Sequence, residues 1–193
     1  MAFWSRKASP QSASDTENSY RAIDPAAFDK GAMINDIADH LRRIASGKLR
    51  GSDVVIALQT ALGAEIAALT ARRNPNAEPD TFRYIMEQAL EAVTPGVREA
   101  AYTAANLPAP EPYGEGDLTE DQFRELTNRI MNAATRDNVP VTDAMTATAR
   151  ALGIILCLVG ERQGDDVERL IVFSQDAIRQ FTKEAISVRQ QKQ

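Results

Sequence analysis

Apolar residues recur along most of the chain at three- and four-residue steps, the period of a helix with one buried face. The step is clear in Ile34, Ile37, Ala38, Leu41, Ile44 and Ala45. It returns in Phe82, Ile85, Met86, Ala89, Leu90 and Val93, and again in Phe123, Leu126, Ile130, Ala133 and Ala134. A last stripe, Val167, Leu170, Ile171, Ser174, Ala177, Ile178, Phe181 and Ala185, predicts a helix from near Asp165 to about Arg189. Two stretches differ. Residues 52–72 and 142–162 are so rich in alanine and leucine that they predict helices through the middle of the fold. No run of alternating β-branched residues occurs. The pattern predicts an all-α protein, a multi-helix bundle of six to seven helices.

Breakers and caps divide the pattern. Asp24-Pro25 reads as an N-cap with proline in the first turn, and Ser52-Asp53 as the start of the first central helix. Thr94-Pro95 predicts a break, with Thr94 capping a fresh helix that carries Val97, Ala100, Ala101 and Ala104. Thr119 with Gln122 three residues later is a capping-box signature. Gly160 and Gly164 are expected to end the second central helix. Residues 107–117, LPAPEPYGEGD, hold three prolines and two glycines and predict a linker. The expected organisation is a polar disordered tail over 1–23, a helical unit over 24–106, the linker over 107–117, and a second unit over 118–193. Both units are expected to pack as one domain.

The two units resemble each other. A shift of ninety sets Ala61-Leu62-Gly63 on Ala151-Leu152-Gly153, Asp53 on Asp143, and Arg72 on Arg162. At eighty-five, Phe82, Ile85, Met86, Ala92 and Val93 fall on Val167, Leu170, Ile171, Ala177 and Ile178. At eighty-nine, Ile34, Ile37, Leu41 and Ala45 fall on Phe123, Leu126, Ile130 and Ala134. Three helices matching in one order fit two pseudo-symmetric three-helix units. Any two amphipathic helices can be slid into partial register, so the shared triplet matters most.

Composition narrows the classes. The 193 residues are 44% hydrophobic and carry a formal net charge of −5. That balance argues against general nucleic-acid binding, which needs a basic surface to displace counterions. No apolar run is expected to reach the roughly 20 residues of a transmembrane helix. The first residues show neither a secretory signal nor a myristoylation pattern, so a cytoplasmic location is expected. Phe3 and Trp4 beside Arg6 and Lys7 suit at most weak membrane-surface contact. Cys157, the single cysteine, lies in an apolar run and reads as a small buried hydrophobe.

One residue stands out. On a wheel of residues 54–72, Val54, Leu58, Ala61, Leu62, Ala64, Ala68 and Leu69 form an arc with Glu65 near its centre. Gln59, Gly63 and Thr70 take the other side. An isolated buried carboxylate is neutral, paired, or faces a cavity. Three roles are open to Glu65: a structural ion pair with His40, Arg42, Arg43, Arg83 or Tyr84; an ordinary residue at a wet helix end; or a ligand-binding group with His40 and Arg83 beside it. His40, the only histidine, stands four residues after Asp36, too few ligands to specify a metal.

No phosphate loop, two-histidine metal helix, nucleophile elbow or Cys-x-x-Cys is present. No metal and no cofactor are expected. The expectation is a non-enzymatic helical interaction or adaptor module that self-associates as a homo-oligomer or docks a protein partner. The alternative is a small-molecule or lipid-binding bundle, or a weakly signposted enzyme, with Glu65 in a cavity. A helix-turn-helix regulator is disfavoured by charge.

Overall fold

The computed structural model describes residues 31–32, 37, 50–73, 78–104, 118–135, 139–163 and 166–190. The expectations for the tail over 1–23, for His40 and for the linker lie outside the described residues. Gly31, Ala32 and Ile37 are helical, and Ile37 is completely buried. Five helices then follow: α1 Gly51–Arg73, α2 Pro79–Ala104, α3 Glu120–Thr135, α4 Val141–Gln163 and α5 Val167–Gln190. No strand occurs among the described residues. The protein is all-α.

Local chemistry sets most of the helix starts. The Arg50 carbonyl accepts the N–H groups of Asp53 and Val54 at 3.1 and 3.3 Å, so α1 begins at Gly51. At the head of α3 the capping box forms in both directions. Gln122 N–H donates to Thr119 Oγ1 at 3.3 Å, and Thr119 N–H donates to Gln122 Oε1 at 2.9 Å. Asp166 caps α5, its Oδ1 accepting the Glu168 N–H at 2.9 Å.

Two expected boundaries do not hold. Pro95 lies inside α2, which runs unbroken through it, so one helix stands where two were expected. Proline removes the hydrogen bond to the carbonyl four residues back. Here that carbonyl belongs to Glu91, and both residues are exposed, so water can replace the missing donor. Thr94 does not cap: its Oγ1 donates to the Leu90 carbonyl at 2.7 Å and accepts from Gln175 Nε2 of α5 at 2.8 Å. Gly160 does not end α4, which continues to Gln163. Buried in a packed helix, it stays helical against its modest intrinsic penalty.

Helices α1 and α4 pack together in the centre. Helix α2 lies mainly on α4, α5 mainly on α1, and α3 against both central helices. The core between them holds Leu58, Leu62, Ile66, Leu126, Ile130, Leu152, Leu156 and Ile171. Each such side chain contributes roughly 1.5–3 kcal/mol of transfer free energy when fully buried. Cys157 is buried and forms no disulfide, as a small core hydrophobe should.

Tight approaches are made by glycine. A Cβ on Gly153 of α4 would stand 2.1 Å from the Val97 carbonyl oxygen of α2. One on Gly63 of α1 would stand 2.9 Å from Phe181 Cβ and 3.0 Å from Thr182 N of α5. Along the outside, α2 and α5 are joined by a polar seam. Arg179 grips Glu87 at 3.0 Å, while Arg98 and the Tyr102 hydroxyl reach Glu168 at 2.9 and 2.7 Å. Those two donors hold the Glu168 carboxyl below the usual carboxylate range.

By length and composition two helices do reach the transmembrane measure, contrary to the sequence expectation. They are Gly51–Arg72 and Val141–Gly160, of 22 and 20 residues. Both are central helices, and most of each span is buried inside the bundle. A core helix that must be apolar all round meets the same measure as one facing lipid.

Candidate functional site

Helix α1 carries the anomaly because most of its middle turns are buried, with only a partly exposed stripe at Thr60, Ala64 and Ala68. The wheel side assigned to Gln59, Gly63 and Thr70 is buried as thoroughly as the apolar arc. It is the surface against which α5 packs. Gln59 Nε2 donates to Ser174 Oγ of α5 at 2.8 Å, Gly63 admits the α5 backbone, and Thr70 Oγ1 donates to the Ile66 carbonyl at 2.8 Å. These three polar or small residues fill a second helix interface.

Glu65 sits on the side toward α4 and is 2% exposed. Thr148 of α4 donates its hydroxyl to Glu65 Oε1 at 3.1 Å. Glu65 Oε2 is buried with no hydrogen-bond partner among the described residues. Glu65 forms no ion pair among the described residues. Burial raises its pKa from 4.5 to about 8, and the Thr148 hydrogen bond opposes that shift only in part. At neutral pH the side chain is therefore mostly the uncharged acid, which avoids the large cost of an unpaired buried charge.

The sequence-named companions do not gather around it. Arg83 and Tyr84 lie on the exposed side of α2, and neither bonds to Glu65. His40, Arg42 and Arg43 lie outside the described residues. The residue that does meet Glu65, Thr148, was missed, since a threonine within an alanine-rich helix gives no sign of its partner. Asp53 Oδ2 is the other buried oxygen without a partner among the described residues. It stands in the first turn of α1, where the helix N-terminus favours a negative charge.

No group of three or more His, Cys, Asp and Glu that could hold a metal ion occurs among the described residues. A gap between α2, α4 and α5, lined by Leu90, Val97, Leu152, Ile171 and Ser174, has space for about one water molecule. Glu65 does not line it. Among the described residues, the arrangement around Glu65 offers a neutral carboxylic acid with one donor partner, Thr148, inside a helix–helix contact.

The outer surface has a different feature. Val172 and Phe173, neighbours on α5, are 55% and 69% exposed. Arg169 and Asp176 flank them and are also exposed. Sequence periodicity pointed to the inward stripe of α5 and passed over these two.

No family model matches the chain, and neither a curated protein nor a solved structure matches it.

Proposed function

We propose that this chain is a non-enzymatic helical interaction module that docks a protein partner through the outer face of α5. The observation that carries this reading is the exposed pair Val172–Phe173. A phenylalanine two-thirds exposed beside an exposed valine contributes little to the fold and leaves apolar area in water. Aromatic side chains concentrate at the centres of protein contacts, where burying them dominates the binding energy. A photo-crosslinking amino acid placed at 173 should give covalent protein adducts in cells, and the same group at exposed Tyr84 of α2 should not. Equal labelling at the two sites, or none at 173, rules the docking face out.

We also infer that the bundle is an internal duplication in which α1 corresponds to α4 and α2 to α5. Two close approaches support it. Gly63 and Gly153 share the ninety-residue shift, and each admits an outer helix of the other half. Gly63 meets Phe181 and Thr182, which at the eighty-five shift correspond to Gly96 and Val97; Gly153 meets Val97. The packing has the same exchange, α1 on α5 and α4 on α2. At the corresponding places, the pair Glu65 and Thr148 is replaced by Ile155 and Leu58.

A further inference from the structure

The partner follows from the order of residues on the docking face, and this inference rests on the docking reading above. Over one short stretch of α5 the sequence runs Arg169, Val172, Phe173, Asp176. An α-helix turns about 100° per residue. Arg169 and Asp176 then lie within about 10° of the line through the midpoint of Val172 and Phe173, one toward each end of the helix. The two apolar residues flank that line at about 50° on either side. Each charge stands about 5 Å along the axis from the midpoint.

A face of this kind is complementary to itself when turned end over end. A two-fold axis in the contact plane at the midpoint sets Val172 of one copy against Val172 of the other, and Phe173 against Phe173. The same axis sets Arg169 opposite Asp176, and it does so twice, since an isologous contact repeats every pairing. The groups are available. Asp176 is 72% exposed at its side chain and uses Oδ1 for Arg179 at 2.7 Å, leaving its second oxygen toward solvent. Arg169 forms no hydrogen bond or ion pair among the described residues. Gln180 is exposed on the same face and can extend the contact.

The fold does not require this arrangement. Helix α2 plays the matching role on α4, and at the eighty-five shift it carries Tyr84, Glu87, Gln88 and Glu91. Neither the apolar pair nor the opposite charges are present there. Glu87 is already held by Arg179.

We propose that α5 pairs antiparallel with α5 of a second copy of this chain, about a two-fold axis between Val172 and Phe173. The patch is small beside the roughly 800 Å² per partner of a standard stable interface. The dimer is therefore weak and reversible, with a dissociation constant in the micromolar range or above.

The test is analytical ultracentrifugation of the full chain over a wide concentration range. Native protein should shift from monomer to dimer. Arg169→Asp and Asp176→Arg each place like charges together twice and should weaken dimerisation about tenfold or more. Mixing the two variants should restore it as a heterodimer, because each charge then meets its opposite. Val172→Ser with Phe173→Ser should abolish dimerisation while the helical circular dichroism stays unchanged. A native chain that stays monomeric into the millimolar range overturns the proposal, as does a mixture no tighter than the single variants. If dimerisation fails while position 173 still crosslinks to a protein of different mass, the docking face survives and the second copy is excluded as its occupant.

Discussion

At the residue scale the decisive group is Glu65. Its folded-state pKa of about 8 lies above the 4.5 of the unfolded chain. Between those values the folded state keeps a proton that the unfolded state has lost, so stability falls as pH rises. The contribution is unchanged below about pH 4.5, declines through the window, and levels off above about pH 8 once both states are ionised. Integrated over that window the loss is on the order of 5 kcal/mol. Glu65→Gln keeps an oxygen for Thr148 and cannot ionise. Urea denaturation at pH 5, 6.5 and 8 should show the native chain losing stability relative to Glu65→Gln, with the variant the more stable at pH 8. Parallel profiles for the two proteins would mean that Glu65 reaches water or a cation. Thr148 matters less, because a threonine in a helix can return its hydroxyl to the carbonyl four residues back.

The element scale is governed by how closely helices approach. Alanine in place of glycine normally helps a helix interior by roughly 1 kcal/mol. At Gly153 the new Cβ would collide with the Val97 carbonyl, and at Gly63 with the backbone of α5. Overpacking of this kind costs about 1–3 kcal/mol and exceeds the helical gain. Gly96 differs, since a Cβ there would stand 3.8 Å from Arg150 Cγ. Gly63→Ala and Gly153→Ala should both lower the thermal midpoint, whereas Gly96→Ala should raise it. The paired loss is what a duplicated architecture requires, and tolerance at either Gly63 or Gly153 would sink that correspondence. Pro95 shows the same scale overruling local preference. The helix keeps going because Val93, Val97, Ala100 and Ala101 all bury on one side, and the lost bond faces outward.

For the whole molecule, the important fact is that, among the described residues, the helices of each half pack mainly on helices of the other. Helix α1 finds its main partners in α4 and α5, and α2 finds its own in α4. Helices α1 and α2 share one apolar interior with α3, α4 and α5. Each half alone, 24–106 or 118–193, would expose the apolar faces of its central helix and could not bury enough area to offset its ordering entropy. Expressed separately, each should show weak helical circular dichroism and no cooperative melt. Mixed in equal amounts, they should recover both. A sharp melting transition from either half alone would show two independent domains instead. The centre of such a molecule must be apolar all round, which is why α1 and α4 have membrane-spanning composition while lying inside protein.

Helix content, most helix starts and the three-residue capping box followed from the sequence, because each depends on neighbours within a turn or two. Leucines and alanines at helical spacing placed Glu65 on an apolar arc, but whether that arc was buried or met water at a helix end depended on the helix opposite. The identity of its partner was not legible. Thr148 stands 83 residues away, and only the crossing of α1 with α4 brings the two together. The packing of α5 on α1 made Gln59, Gly63 and Thr70 the seat of that helix, and the packing of α2 on α4 carried α2 straight through Pro95. Local sequence determined which segments coil. Tertiary packing determined which of their faces meet water, because burial belongs to the pair of helices in contact and not to either one alone.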